Sequence, residues 1–297
     1  MKRINQLGII ALIVLFSGIF IHAVPEETEK KITGKGTYRY FPASVDFAGE
    51  ATPLYISDVK ERFERELLVN ANLDASTLLI IKRANRAFPI IEPILAKYGV
   101  PDDFKYLAVI ESSLMNAVSP AGAKGVWQFM EPTAKENGME VNAEVDERYH
   151  LEKSTEAACK YLLNSKKRFG TWTLAAASYN GGITGVSRQI DIQKVSNYYD
   201  LLLTDETARY VFRILALKEI MKTPESYGFT IIPEELYQNL PSKKVEIDST
   251  ITDLADFAKA QGINYKILKI HNPWLRDKKL TNAAKKKYVI EIPTSGY

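Results

Sequence analysis

One cysteine, three histidines and a net charge of only +3 in 297 residues set the first limits. A lone Cys159 excludes an intramolecular disulfide. It falls in the amphipathic run 155–163, where the expected state is a buried, unreactive thiol. His22, His150 and His271 are far apart, and no Cys/His cluster has metal-ligand spacing, so neither a metal nor a cofactor is expected. The charge is too small for a nucleic-acid binder, and no basic stripe carries interleaved aromatics. What remains is ordinary globular composition, 46% hydrophobic and 25% charged, which excludes a disordered chain. Tyrosine is plentiful, 16 against 3 Trp and 12 Phe, as suits a polar groove where rings stack, although tyrosines also fill cores.

The N-terminus has the pattern of an export signal. Lys2 and Arg3 precede an uncharged, mostly apolar run, Leu7 to Ile21, and Ile21-His22-Ala23 is an imperfect small-residue cleavage site. The segment 1–23 is therefore expected to be a cleaved signal, or else a retained anchor, since Ile4 to Val24 could just cross a bilayer. Export to the periplasm, or anchoring in a membrane facing it, follows from either. Residues 24–50 are polar and read as a linker or arm. Residues 51–232 carry helical spacing almost throughout: Lys60–Val69, Ala75–Arg86, Ile90–Tyr98, Asp102–Met115, Glu131–Glu136, Ser154–Phe169, Trp172–Ser178 and Glu206–Thr223. Residues 233–244 look like a domain junction. Residues 245–297 change character to strand, helix, helix, strand, a small α+β module. The expected fold class is mainly α, a helical domain followed by a βααβ module.

Within the helical part, Glu111 stands out. It shares a helical face with Leu107, Leu114 and Met115, and a carboxylate among such neighbours is desolvated, which favours its protonated form. A glutamic acid that keeps its proton near neutral pH can protonate a leaving group. Two further segments follow. Ser119-Pro120-Ala121-Gly122-Ala123-Lys124-Gly125-Val126-Trp127-Gln128-Phe129-Met130 is a small-residue loop whose glycines permit close backbone approach to a ligand. In it Trp127 offers a stacking surface, and Gln128 offers both donor and acceptor, a pair suited to sugars. Ala175-Ala176-Ala177-Ser178-Tyr179-Asn180-Gly181-Gly182 ends a helix in two glycines and presents Tyr179 and Asn180 at a turn. Taken singly each has a plain structural role: turn glycines, a core tryptophan, a helix cap.

In this order the three segments resemble the lysozyme-like domain of lytic transglycosylases, glycoside hydrolase family 23, over roughly Phe88 to Leu217. The run Glu206-Thr207-Ala208-Arg209-Tyr210-Val211-Phe212-Arg213 resembles the membrane-bound murein transglycosylase D subgroup. Residues 245–297, with Asn272-Pro273 and Ile292-Pro293, resemble a LysM carbohydrate-binding module, although Asp248-Ser249-Thr250-Ile251 replaces the usual Gly-Asp-Thr-Leu opening. The resemblance implies Glu111 as a single catalytic acid and peptidoglycan glycan strands as partner. It implies that Ser119, Gln128, Met130, Tyr179 and Asn180 contact substrate, with Tyr179 hydrogen-bonding the catalytic carboxyl. It also implies cleavage between N-acetylmuramic acid and N-acetylglucosamine with a 1,6-anhydro end, and no cofactor. Two rivals stay open. A goose-type muramidase would need a second carboxylate to activate water, with Asp146, Glu147, Glu131 and Glu136 available. A non-catalytic wall-binding scaffold would work through the LysM-like module alone.

Overall fold

The computed structural model describes residues 40–297. The expectations for 1–23, and for the arm up to residue 39, lie outside the described residues. The main-body helices are α1 (Ser57–Ala71), α2 (Asp74–Tyr98), α3 (Lys105–Ser112), α4 (Glu131–Glu136), α5 (Leu151–Phe169), α6 (Trp172–Gly181), α7 (Ile183–Gln193) and α8 (Asp205–Lys222). Helix α8 is apolar nearly all round, burying Val211, Phe212, Ile214, Leu215, Ala216, Leu217 and Ile220. A helix of that kind belongs at the centre, and α1, α3 and α6 pack around it.

Two helical expectations are corrected. The predicted break before Ile90 is absent, and α2 runs through Pro89 and Pro93. Ile80, Ala84, Ala87, Ile91 and Leu95 form one buried stripe at three- and four-residue spacing, so packing along the whole helix outweighs the amide hydrogen bonds that proline removes. The helix predicted to reach Met115 stops at Ser112, because Ser113 and Leu114 both adopt left-handed backbone, φ 54° and 60°. Helix α7 had no predicted counterpart.

Residues 40–51 are packed against the body. Phe47 is fully buried against Phe104, with ring centroids 5.0 Å apart. Glu50 caps the start of α6: its carboxylate accepts from the Trp172 and Thr173 amides at 2.6 and 2.8 Å and from the Thr173 hydroxyl at 2.5 Å. Burial alone would raise its pKa, but these bonds outweigh burial and hold the carboxyl below its usual range. Residues 233–244 lie along α2, where the Asn85 and Asn239 side-chain amides donate to the carbonyls of Tyr237 and Arg86.

The C-terminal module has the expected order: β1 (Ser242–Ile247), α9 (Leu254–Ala260), α10 (Tyr265–His271) and β2 (Tyr288–Pro293), with the strands antiparallel from Ser242↔Pro293 to Ile247↔Tyr288. Asp253 and Asn264 cap the two helices. Buried Asn272 exchanges two hydrogen bonds with the backbone of Glu291, 2.7 and 2.8 Å, tying the end of α10 to β2.

The firm docking of this module has no counterpart in the sequence pattern. Val145 of the body forms a β-bridge with Leu275, and Val145 and Tyr149 belong to the same buried cluster as Leu254, Leu268, Leu275 and Ile290. The Asp146 amide donates to the Trp274 carbonyl at 2.9 Å and the Arg276 amide to the Glu144 carbonyl at 2.7 Å. Body acids meet module partners as well: Glu140 binds Tyr288 and Lys286, and Glu144 binds Thr281. With one apolar cluster shared, calorimetry should record a single unfolding transition for the whole chain. Leu275→Ala, which leaves a cavity in that cluster, should lower stability by about 3 kcal/mol. Two resolved transitions would contradict a shared core.

Candidate active site

Glu111 sits one residue before the end of α3, and the left-handed turn behind it carries the chain sharply away. The Ser112 hydroxyl donates to the Val126 carbonyl at 2.8 Å, anchoring the helix end to the glycine loop. A carboxyl at such a terminus can face open space while its backbone stays fixed. Part of Glu111 remains open to solvent, yet protein atoms crowd the carboxyl.

Its hydrogen bond comes from Tyr210 of α8, whose hydroxyl donates to Glu111 Oε1. This corrects the expectation for Tyr179, whose hydroxyl donates instead to the Trp127 carbonyl at 2.8 Å. The Tyr179 ring packs edge-on against Phe129 and Tyr161, and burial, with the Glu111 charge adding to it, holds its phenol well above the ordinary range, so it lies in the same region without holding the carboxyl. Desolvation raises the Glu111 pKa to about 7; the Tyr210 hydrogen bond and the Arg213 charge act against that rise, and the Glu206 charge adds to it. Burial, with the Glu111 charge beside it, pushes Tyr210 far above the ordinary phenol range, so Tyr210 stays a donor.

Sequence reasoning thus missed Tyr210, Arg213 and Glu206, although it singled out the run containing them. The available signal was spacing: Glu206, Tyr210 and Arg213 recur at four and three residues, one face of α8. Glu206 accepts from Asn180 Nδ2 at 3.0 Å, and Thr207 donates to Asn180 Oδ1 at 2.7 Å, so both ends of the predicted groove amide are held.

The loop residues divide. Trp127 offers no stacking surface; it is fully buried, with its indole N–H donating to Thr155 at 2.8 Å. Gly125 makes its close approach to protein rather than ligand: at φ +84°, a Cβ there would lie 1.8 Å from the Arg148 carbonyl oxygen. Gln128 is left-handed at φ 51°, and its amide nitrogen donates to the carbonyls of Ala117 and Gly125, which leaves Oε1 to accept from a ligand. Ser119 Oγ accepts from the Ala123 amide at 3.0 Å and keeps its hydroxyl hydrogen to give. Met130 is exposed at 43%, and Met115 and Val118 are exposed as well.

Of the four carboxylates weighed as a second catalytic group, three are engaged elsewhere. Asp146 is buried and grips Arg148 through two 2.8 Å bonds, while Glu147 accepts from the Glu140 amide at 2.7 Å. Glu131 and Glu136 are exposed, Glu131 paired with Lys135. Glu206 is the carboxylate whose charge acts on Glu111.

Residues 88–202 match the family described as transglycosylase SLT domain, and residues 243–296 match the soluble lytic transglycosylase C-terminal LysM-like domain. The chain carries a transglycosylase SLT domain. Its helical body and C-terminal module accordingly have the lysozyme-like and LysM-like character that the family resemblance implied. Two curated relatives are the membrane-bound lytic murein transglycosylases D of Escherichia coli K12 and Escherichia coli O6:H1, each 30% identical over 182 residues. The match covers 59% of this chain and 40% of each relative, so the chain spans about two fifths of their length. Tyr210, which holds Glu111, lies eight residues past the end of the SLT match (210 − 202).

The Glu111 proton links the site to stability. In the unfolded chain Glu111 titrates near 4.5 and in the folded chain near 7, so between these values the folded state holds the extra proton. Stability from this group is complete below 4.5 and falls as pH rises through 7, by on the order of 3 kcal/mol. Glu111→Gln should therefore leave stability little changed at pH 4 and raise it at pH 8, as read by thermal melts across pH. Tyr210→Phe removes a bond that favours the ionised form and should move the Glu111 titration to higher pH. Carboxyl NMR of Tyr179→Phe, in contrast, should show a smaller displacement.

Proposed function

We propose that this chain is a peptidoglycan lytic transglycosylase, exported to the wall, in which Glu111 serves as both acid and base. The observation that carries the reading is a desolvated carboxyl, pKa about 7, on a residue still partly open to solvent and held by a permanent phenol donor. Its proton passes to the glycosidic oxygen between N-acetylmuramic acid and N-acetylglucosamine, and that bond breaks. The muramic acid N-acetyl group stabilises the cation that forms at C1. Tyr210 and Arg213 favour the ionised Glu111 left behind, without lowering its basicity to that of an ordinary surface carboxylate. Glu111 then takes the proton of the same sugar's C6 hydroxyl as that oxygen closes on C1. The 1,6-anhydro ring results and the carboxyl is regenerated. An acceptor within the ring needs no activated water, because it is already in place.

Ser119 and Gln128 Oε1 supply polar contacts to the glycan strand, and exposed Met130 supplies contact to a sugar face. Asn180, braced at both ends, positions the groove wall above α8.

Glu206 supports a second reading, hydrolysis of the same bond by a two-carboxylate muramidase. It is exposed, lies one turn before Tyr210, and acts electrostatically on Glu111. Mass spectrometry of soluble products from purified peptidoglycan separates the two. With the wild-type chain, 1,6-anhydro-N-acetylmuramic acid ends are expected. Glu111→Gln should lose at least about a thousandfold in rate. Glu206→Gln should keep the anhydro product at a reduced rate. Reducing-end muramic acid, lost in Glu206→Gln, would establish water as the acceptor and Glu206 as its base.

A further inference from the structure

Between the helical body and the LysM-like module lies a cleft of about 490 Å³, and Glu111 is not part of its lining. Its volume falls within the range of small-ligand sites, and its two walls are fixed by the Val145–Leu275 bridge and the shared apolar cluster. The rings of His150, Trp274 and Tyr288 stack at 5.8 and 5.7 Å to build one side.

Five lysines and three glutamates line it. The pairing among them is unequal. Glu152 is 3.6 Å from Lys244, and Lys286 is taken by Glu140 and Glu147. Glu156 is divided between Lys97 at 3.5 Å and Lys153 at 3.8 Å. Lys160 donates to a backbone carbonyl, that of Asn137, and Lys287 forms no ion pair among the described residues. Scattered surface lysines are ordinarily just solvated. Here they come from three chain segments onto one concave space with apolar ring walls, a shape that concentrates their field.

The lining has lysines but no arginine, so it offers separated point charges rather than the planar fork suited to one phosphate. Spaced carboxylates with an amine among them, the pattern of a short acidic peptide, match five lysines interleaved with three glutamates. Position adds to this. Helix α4 is all that separates exposed Met130 from Asn137 at the cleft, six residues and about 9 Å of helix. A branch from a strand lying in the groove can reach that far.

We propose that the cleft binds the acidic peptide borne as a side branch by the glycan strand, an inference that rests on the glycan reading above. Binding is measured by calorimetry on the full chain carrying Glu111→Gln. The probes are an N-acetylglucosamine–N-acetylmuramic acid fragment with its peptide, and the same fragment stripped of it. The peptide-bearing fragment should bind about tenfold more tightly, with the difference shrinking in high salt. Lys160→Glu combined with Lys287→Glu, both exposed positions, should abolish the difference and leave the stripped fragment unaffected. Free peptide displacing the branched fragment would support the same site with a soluble source. Equal affinity for both fragments, or an equal loss for both in the double variant, would overturn the proposal. Peptide-dependent binding without any cleavage product from the wild-type chain would sink the catalytic reading and leave the cleft standing.

Discussion

The hydrogen bond from Tyr210 to Glu111 is the contact on which the site depends, since it joins two elements 99 residues apart around one buried proton. Desolvation alone would leave Glu111 a poor acid, too reluctant to release what it holds. A donor that never ionises offsets part of that penalty and keeps the pKa near 7. For the phenol to be in place, α8 must run through the middle of the body, and the buried apolar residues of its middle turns put it there. The left-handed turn at Ser113 and Leu114 completes the arrangement by ending α3 just after the glutamate.

Much of the architecture was legible because it rests on short-range rules. The βααβ module followed from two short helical runs between two short strand-type runs. The desolvation of Glu111 followed from one charged residue in an apolar stripe. Pro89 misled because a local breaker was weighed without the packing stripe that continues past it. Trp127 misled in the same sense: an aromatic beside an amide reads as a sugar platform until Thr155, 28 residues on, is seen to satisfy its indole.

Tyr179 and Tyr210 present the harder problem. Both are tyrosines near the carboxyl, and nothing in the spacing of either segment says which phenol points at it. That choice is made by helix rotation, with Tyr179 turned onto the Trp127 carbonyl by its packing against Phe129 and Tyr161. The docking of the module was invisible for a related reason. Its determinants, Glu140, Glu144, Val145 and Tyr149, sit in a stretch with irregular local pattern, and the partners of the first two lie 148 and 137 residues away.

The bridge at Val145 and Leu275 carries one more consequence. Modular wall enzymes joined by a flexible linker gain from tethering through an effective concentration that varies with linker length. Here the residues before the module are fastened along α2 and the module itself shares a core with the body. The offset between anything the module grips and the Glu111 carboxyl is therefore a constant of the fold. Such a molecule has the build of a caliper locked at one opening: its two parts cannot move apart or together to suit a different spacing.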